Sequence, residues 1–189
     1  MLYLAKGRFT QPDCSHFSLK ANPGRIQAMV TIRRIRPGEA PAVMQLICRV
    51  AYGIFGFDGT LEDSQRHFKE ARVFQDMEDV RENYFENGGT FLVAVEDGEI
   101  IGSGALRRLS PHTAELKRMW LLERYHSQGI GWQLMARLIV FAREQDYTCI
   151  RLQTSPQQKR ALAFYRKVGF TEIPNYTGEV GEISLEFAL

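Results

Sequence analysis

An α/β or α+β order of elements is predicted by three stretches of this 189-residue chain. FLVAV (91–95) and IIGSGALRRL (100–109) flank EDGE, whose Asp97-Gly98 pair suits the positive dihedrals of a tight turn, so the two runs form an antiparallel hairpin. From Gly129 onward, Ile130, Leu134, Leu138 and Ala142 recur every four residues, with Met135 and Ile139 widening the same face, which is the period of a helix. TCIRLQT (148–154) then returns to strand character, and SPQQKRALAFYRKVGF opens a further helix.

Taken in order, residues 1–28 mix Pro, Gly, Ser and isolated apolar residues without periodicity and read as an irregular arm. Residues 29–189 read as a single domain. MVTIRRIR (29–36) is a β-branched strand, Pro37-Gly38 a turn, and EAPAVMQLICRVAY a helix. Gly53, Gly56 and Gly59 precede one or two helices over 60–89, with Thr60 and Asp63 spaced as a helix start and Gly88-Gly89 as the end. Phe68, Val73, Phe74, Met77, Val80, Tyr84 and Phe85 fall at helical spacing and are read as packing residues. AELKRMWLL, after Ser110-Pro111, is a strand whose imperfect alternation predicts a bulge. For the last helix, Ser155 is the cap, Pro156 the first helical residue, Gln158 the third member of a capping box and Gly169 the stop. Extended segments at 170–173 and 182–187 complete the order.

The charge balance, 24 Lys and Arg against 22 Asp and Glu, gives +2 and no basic strip, which argues against nucleic acid as a partner. Three cysteines, Cys14, Cys48 and Cys149, lack metal-ligand spacing and are odd in number, favouring a reduced setting over a disulfide framework. No run approaches the roughly 18 apolar residues of a membrane span, and the N-terminal stretch lacks the apolar middle of a secretory signal. A cytoplasmic protein without a membrane partner is expected. The four histidines are scattered without an H-E-x-x-H pattern, and no metal is expected.

YHSQGIGWQL (125–134) is the stretch on which function turns. A strand entering it and a helix leaving it place unpaired amides beside Gly129 and Gly131, where the helix dipole favours an anion. The same glycines also suit an ordinary helix entry. The stretch has neither the Lys-Ser/Thr of an ATPase phosphate loop nor a complete G-x-G-x-x-G, so ATP hydrolysis and hydride transfer are disfavoured. Gln128 is uncharged, which leaves the amides, aided by Arg124, to attract the anion.

HSQGIG, from His126 to Gly131, resembles the Q/R-x-x-G-x-G/A segment of the Gcn5-related N-acetyltransferase (GNAT) family. The likeness runs from AELKRMWLL through TCIRLQT into ALAFYRKVGF, and more loosely over 29–187. It implies a mixed, largely antiparallel sheet flanked by helices, with acetyl-CoA where the central strands separate and the acceptor on the opposite side of the cleft. By that resemblance, the backbone at Leu121 contacts the pantetheine arm. The amides of His126, Ser127, Gln128, Gly129, Ile130 and Gly131 take the pyrophosphate, and Tyr165 protonates the departing thiolate. Two positions depart from the pattern: His126 stands for the usual Arg or Gln, and Gln158 for the usual Asn.

The reaction implied is acetyl transfer to a primary amine of a small molecule or protein, by direct attack. Glu115, which resembles acids used at that strand by some relatives, is the leading proton acceptor, with a solvated strand-end carboxylate as its alternative role. His112 and Glu123 are secondary candidates. The region from Gly53 to Gly89 is expected to shape the acceptor pocket, and a homodimer is compatible with the sequence. The runner-up function is a noncatalytic acetyl-CoA or acyl-CoA sensor.

Overall fold

The computed structural model describes residues 29–189, so the arm expected over 1–28 lies outside the described residues. Strand β1 (Thr31–Arg34) leads through the Pro37-Gly38 turn into α1 (Ala40–Phe55). The Glu39 carboxylate at this junction accepts from both terminal nitrogens of Arg33 and from the Arg36 amide, and these bonds hold its pKa down to about 2. Helix α2 (Leu61–Glu70) begins as the sequence predicts: Asp63 N–H donates to Thr60 Oγ1 at 3.2 Å and Thr60 N–H to Asp63 Oδ2 at 2.9 Å, a complete capping box. The rest of the 60–89 region is broken into a single-turn helix, α3 (Gln75–Glu78), and a π-helical turn (Arg81–Phe85).

Strands β2 (Thr90–Glu96) and β3 (Glu99–Ser110) form the expected hairpin, with φ of 49° at Asp97 and 83° at Gly98. β4 (Thr113–Leu121) pairs antiparallel with β3 and carries the bulge: Ala105 faces Lys117 and Ser103 faces Trp120, so Arg118 and Met119 stand opposite Gly104 alone. Arg118 has φ of 55°, and Ser103 Oγ donates to its carbonyl at 2.7 Å. A 3-10 turn (Glu123–Tyr125) leads to α4 (Ile130–Glu144), which returns the chain to β5 (Cys149–Thr154). Then follow α5 (Lys159–Val168), β6 (Thr171–Ile173) and β7 (Ile183–Ala188). Among the described residues seven strands lie in the order β1-β2-β3-β4-β5-β7-β6, and every neighbouring pair is antiparallel except β4 with β5. A parallel pair needs a crossover, and α4 supplies it.

Strand alternation divides the core between two faces. On one, α4 and α5 set Leu134, Leu138, Leu162 and Tyr165 against Leu92, Ala94, Leu106, Leu116, Ile150, Leu152 and Leu185. On the other, Val43 and Ile47 of α1, Met77 and Tyr84 pack on Phe91, Val93 and Ala105. None of the described helices is long and apolar enough to cross a membrane.

One expected boundary is corrected. α5 starts at Lys159 rather than at Pro156, because the residues read as its cap close a separate turn. Gln158 Oε1 accepts from Thr154 Oγ1 at 2.8 Å and from the Ser155 amide at 3.2 Å, while Ser155 Oγ takes the Gln157 amide at 3.3 Å. Gln158 itself has ψ of 53°, outside the helix. The stop is as expected: Gly169, at φ of 115°, ends the helix.

The broken 72–85 segment is fastened to the β4 bulge by a buried polar cluster. Arg118 donates through Nε to Asp76 Oδ2 at 3.0 Å and through a terminal nitrogen to the Val73 carbonyl at 2.6 Å. It also pairs with Asp76 Oδ1, and the Tyr84 hydroxyl donates to Asp76 Oδ2. Burial works to raise the Asp76 pKa, but the bonds and charge of Arg118, with the Tyr84 hydroxyl, outweigh it and hold the carboxyl below its ordinary range. Burial, and then the Asp76 charge, raise the Tyr84 phenol.

Two stability predictions follow from this packing. Because the folded pKa of Asp76 is depressed, its stabilisation is complete above the ordinary carboxylate value of 3.8 and is lost as pH falls through the lower folded value. Asp76→Asn, which leaves Arg118 half-buried without its counter-charge, is expected to cost about 3–5 kcal/mol in urea unfolding at pH 7 and to flatten the acid limb of the stability curve; an unchanged acid limb would contradict the assignment. At Gly89 an added Cβ would lie 2.0 Å from the Leu106 carbonyl oxygen and 2.8 Å from that of Tyr84, both backbone atoms that cannot swing away. Gly89→Ala should therefore lower stability by about 3 kcal/mol, read as a drop in the denaturation midpoint.

Candidate functional site

β4 and β5 are partners over a short stretch, Thr113–Glu115 against Cys149–Arg151. Beyond it β4 runs on to Leu121 paired with β3, and β5 runs on to Thr154 paired with β7. The two strands therefore part after Glu115, leaving a gap edged by β4 backbone that has no strand partner on that side. The 3-10 turn and the start of α4 follow directly from the far end of β4.

This helix start leaves its backbone amides open. Gly129 is its cap residue at φ of 80°, Ser127 before it has φ of 63°, and α4 has no side-chain cap and no acidic residue in its first turn. Among the described residues, the amides from Ser127 to Trp132 have no protein acceptor; the first helical bond runs from Gln133 N–H to the Gly129 carbonyl at 3.0 Å. Unpaired N–H groups at the positive end of a helix dipole are the standard physical basis for binding phosphate. The His126 amide is a correction to the expected set, because it donates to the Glu123 carbonyl at 3.0 Å and closes the 3-10 turn.

The side chains assigned to this loop are used within it. Gln128 Nε2 donates back to the Arg124 carbonyl at 2.8 Å, and Gln158 serves the turn before α5. Ile130 is buried in the core. Arg124 points away, pairing with Glu99 at 2.8 Å and lying over the Tyr125 ring. His126 joins the two sides of the gap. Its Nδ1 faces an Arg160 nitrogen, which can only donate, so Nδ1 accepts and Nε2–H donates to the Leu121 carbonyl at 3.2 Å. The Leu121 carbonyl is thus already engaged, and the free β4 edge available to a ligand lies before it. Arg160, exposed on the first turn of α5, is a cation beside the loop that the sequence reading did not single out. Nothing in its local sequence distinguishes it from a solvated helix arginine.

Tyr165 of α5 is 6% exposed, packed beside Phe164 and Phe170, and its hydroxyl has no hydrogen-bond partner among the described residues. Burial raises its pKa above the usual phenol range, so it stays protonated at neutral pH and can only be a proton donor there. Glu115 is not the solvated strand-end carboxylate considered from sequence: it is 3% exposed. Two nitrogens of Arg107 lie 2.7 Å from its Oε2, and the Tyr176 hydroxyl donates to Oε1 at 3.2 Å. Arg107 is its cross-strand partner on β3, so alternation puts both on the sheet face opposite α4 and α5, at the point where β4 and β5 part. Burial, with the Glu115 charge adding to it, raises the Tyr176 phenol. Tyr176, on the β6–β7 loop, was not found from sequence because only the fold brings it to Glu115.

On that same face a cavity of about 670 Å³ lies between the sheet, the 72–83 segment and Glu179 of the β6–β7 loop. The bulge lets consecutive residues, Lys117 and Arg118, both line it with Arg107, where a regular strand would turn one of them away. The two secondary base candidates stay out of it: Glu123 is exposed near Arg160, and the His112 carbonyl serves the Thr148 amide. Cys48 is buried, which raises its thiol pKa, and Cys149 Sγ lies 3.5 Å from Thr113 Oγ1. Among the described residues no group of His, Cys, Asp and Glu is placed to hold a metal ion.

The fold has counterparts among known proteins. The chain is 25% identical over 161 residues to the uncharacterized N-acetyltransferase YjgM of Escherichia coli (strain K12), spanning 82% of this chain and 90% of that one. It is 30% identical over 118 residues to N-acetyltransferase family 8 member 2 of Rattus norvegicus, spanning 60% of this chain and about half, 52%, of the relative. A GNAT-family acetyltransferase from Staphylococcus aureus Mu50 superposes with a TM-score of 0.71 at 23% identity, over 85% of this chain and 99% of that one. The PaiA N-acetyltransferase of Thermoplasma acidophilum, solved in complex with coenzyme A, superposes with a TM-score of 0.69 at 19% identity, again over 85% and 99%. Residues 57–170, which include the strand fork, the α4 loop and Tyr165, match the acetyltransferase (GNAT) family model, and the chain belongs to that family.

Proposed function

We propose that this protein transfers an acetyl group from acetyl-CoA to a primary amine by direct attack. The observation that carries the reading is the run of uncommitted amides from Ser127 to Trp132 at the mouth of the gap between β4 and β5. These amides would hold the diphosphate, with Arg160 as the neighbouring charge, and the free β4 edge before Leu121 would bond the pantetheine amides. The coenzyme A complex of the Thermoplasma neighbour supports a cosubstrate of this class in this fold.

In the reaction the amine lone pair attacks the thioester carbonyl carbon and the C–S bond breaks. The departing thiolate takes the proton of the Tyr165 hydroxyl, which is available because no protein group among the described residues competes for it. The ammonium proton leaves on the other face, where Glu115 with the Tyr176 hydroxyl is the carboxylate at the fork. Arg107 and Tyr176 hold the Glu115 carboxylate in place at the fork, and the proton passes onward to water. Two arms of the sheet thus serve two roles: cosubstrate on the α4 and α5 side, acceptor on the cavity side.

Two variants test the assignment. Tyr165→Phe should lower kcat by roughly 100-fold while leaving the coenzyme A dissociation constant, measured by calorimetry, within about twofold; its melting temperature should not fall, since the hydroxyl has no partner to lose. An unchanged kcat would remove Tyr165 from the mechanism. Ser127→Asp sets a carboxylate among the loop amides and should raise the coenzyme A dissociation constant about tenfold or more, whereas Ser127→Asn, the same shape without charge, should leave it nearly unchanged. Equal affinities for the two variants would place the diphosphate elsewhere. Coenzyme A binding without acetyl release across a broad amine panel would favour the sensor.

A further inference from the structure

The cavity on the acceptor face is more than a gap between elements. Two of its lining residues, Arg72 and Arg118, are non-glycine residues with φ of 53° and 55°. Left-handed backbone is unfavourable for a residue with a Cβ and persists where the surroundings enforce it. At Arg118 the enforcement is visible in the Asp76, Val73 and Ser103 bonds. The result is a wall in which the half-buried charges are counted out against each other, with one left over.

Arg118 is matched by Asp76, and Arg107 is matched by Glu115. Lys117 has a side chain 34% exposed, and its nearest carboxylate oxygen, Glu115 Oε1, is 4.0 Å away on a group already bound to Arg107 and Tyr176. The acids at the cavity rim, Glu78, Asp79, Glu82 and Glu179, are exposed, where salt screens them and water solvates them. A partly desolvated ammonium without a close partner is the group in this cavity that gains most from a ligand anion. Register places it next to the reaction point: Lys117 is two residues along β4 from Glu115, on the same face and just beyond the fork.

We propose that Lys117 binds a carboxylate of the acceptor, so that the substrate class of this site is a small amino acid or similar amine bearing a carboxylate, not a polyamine or a peptide N-terminus. The inference rests on the acetyltransferase reading. Lys117 acts by ion pairing with the part of the acceptor remote from the amine, which holds the nitrogen toward the fork.

The test compares β-alanine, 4-aminobutyrate, aspartate and glutamate with n-propylamine, n-butylamine, spermidine and a short neutral peptide with a free N-terminus and an amidated C-terminus, by coenzyme A release. The carboxylate-bearing amines should be the better acceptors. Lys117→Met should raise their KM about tenfold or more with kcat changed less, while Lys117→Arg should retain most of the affinity. Coenzyme A affinity should be the same in all three proteins. In parallel, succinate, which carries no amine, should raise the melting temperature of the coenzyme A-bound wild type and of Lys117→Arg, and not of Lys117→Met. A preference for spermidine, alkylamines or the peptide would overturn the proposal, as would an equal succinate shift in Lys117→Met. Absence of turnover with every amine leaves the succinate arm to decide it. Loss of coenzyme A binding in the wild type would instead overturn the acetyltransferase reading, which keeps the two failures distinct.

Discussion

The parting of β4 from β5 after Glu115 is the constraint on which the rest of the molecule depends. Both strands stay paired on their outer sides, β4 with β3 on either side of its bulge and β5 with β7, so neither is free to follow the other. What separates them is a crossover whose helix packs on one face and whose N-terminus opens beside the gap. An interior strand edge without a partner is costly to leave dry. A ligand that presents amides along its length and an anion at its end satisfies both the edge and the uncapped helix at once. The bulge at Arg118 lies on the same strand, and it turns Lys117 and Arg118 together toward the opposite face. One strand therefore organises both sides of the site.

The two faces differ in the kind of interaction that stabilises them. Under α4 and α5 the contacts are largely apolar; of the three tyrosines in that core, Tyr125 and Tyr147 donate their hydroxyls to Glu96 and to the Gly88 carbonyl, while the Tyr165 hydroxyl has no partner among the described residues. On the other face the apolar cluster beneath α1 gives way, toward the fork, to buried ion pairs: Asp76 with Arg118 and Tyr84, Glu115 with Arg107 and Tyr176. Buried pairs of this kind are weak evidence for added stability, but breaking one is costly. They fix the geometry of charges around the cavity proposed to hold the acceptor. The 72–85 segment, too irregular to hold its shape by helix formation alone, is pinned by them to the sheet.

The sequence carried the fold well wherever periodicity and turn chemistry are local. The Asp97-Gly98 hairpin, the Thr60–Asp63 capping box, the α4 face and the Gly129 entry all follow from neighbours within a turn or two of each other. The misplaced start of α5 has a local cause as well: Ser155, Pro156 and Gln158 carry the chemistry of a cap, but Gln158 also meets Thr154 Oγ1, and that bond diverts the signal into a turn. In the candidate site, the geometry of the glycine loop was readable because it is a matter of local backbone. The environment of Glu115 was not, since burial and pairing with Arg107 and Tyr176 arise from partners 8 and 61 residues away. His126 and Arg160 meet across 34 residues for the same reason.

The claim that ties these parts together is that backbone amides at the start of α4 hold the cosubstrate's diphosphate. It is tested most directly by following the amide ¹H–¹⁵N resonances of the labelled protein as coenzyme A is added. The account predicts the largest downfield proton shifts at Ser127 to Trp132, with the His126 amide, already bonded to Glu123, moving little. Small shifts across this loop, with the largest changes instead around Lys117 and the 72–83 segment, would contradict it.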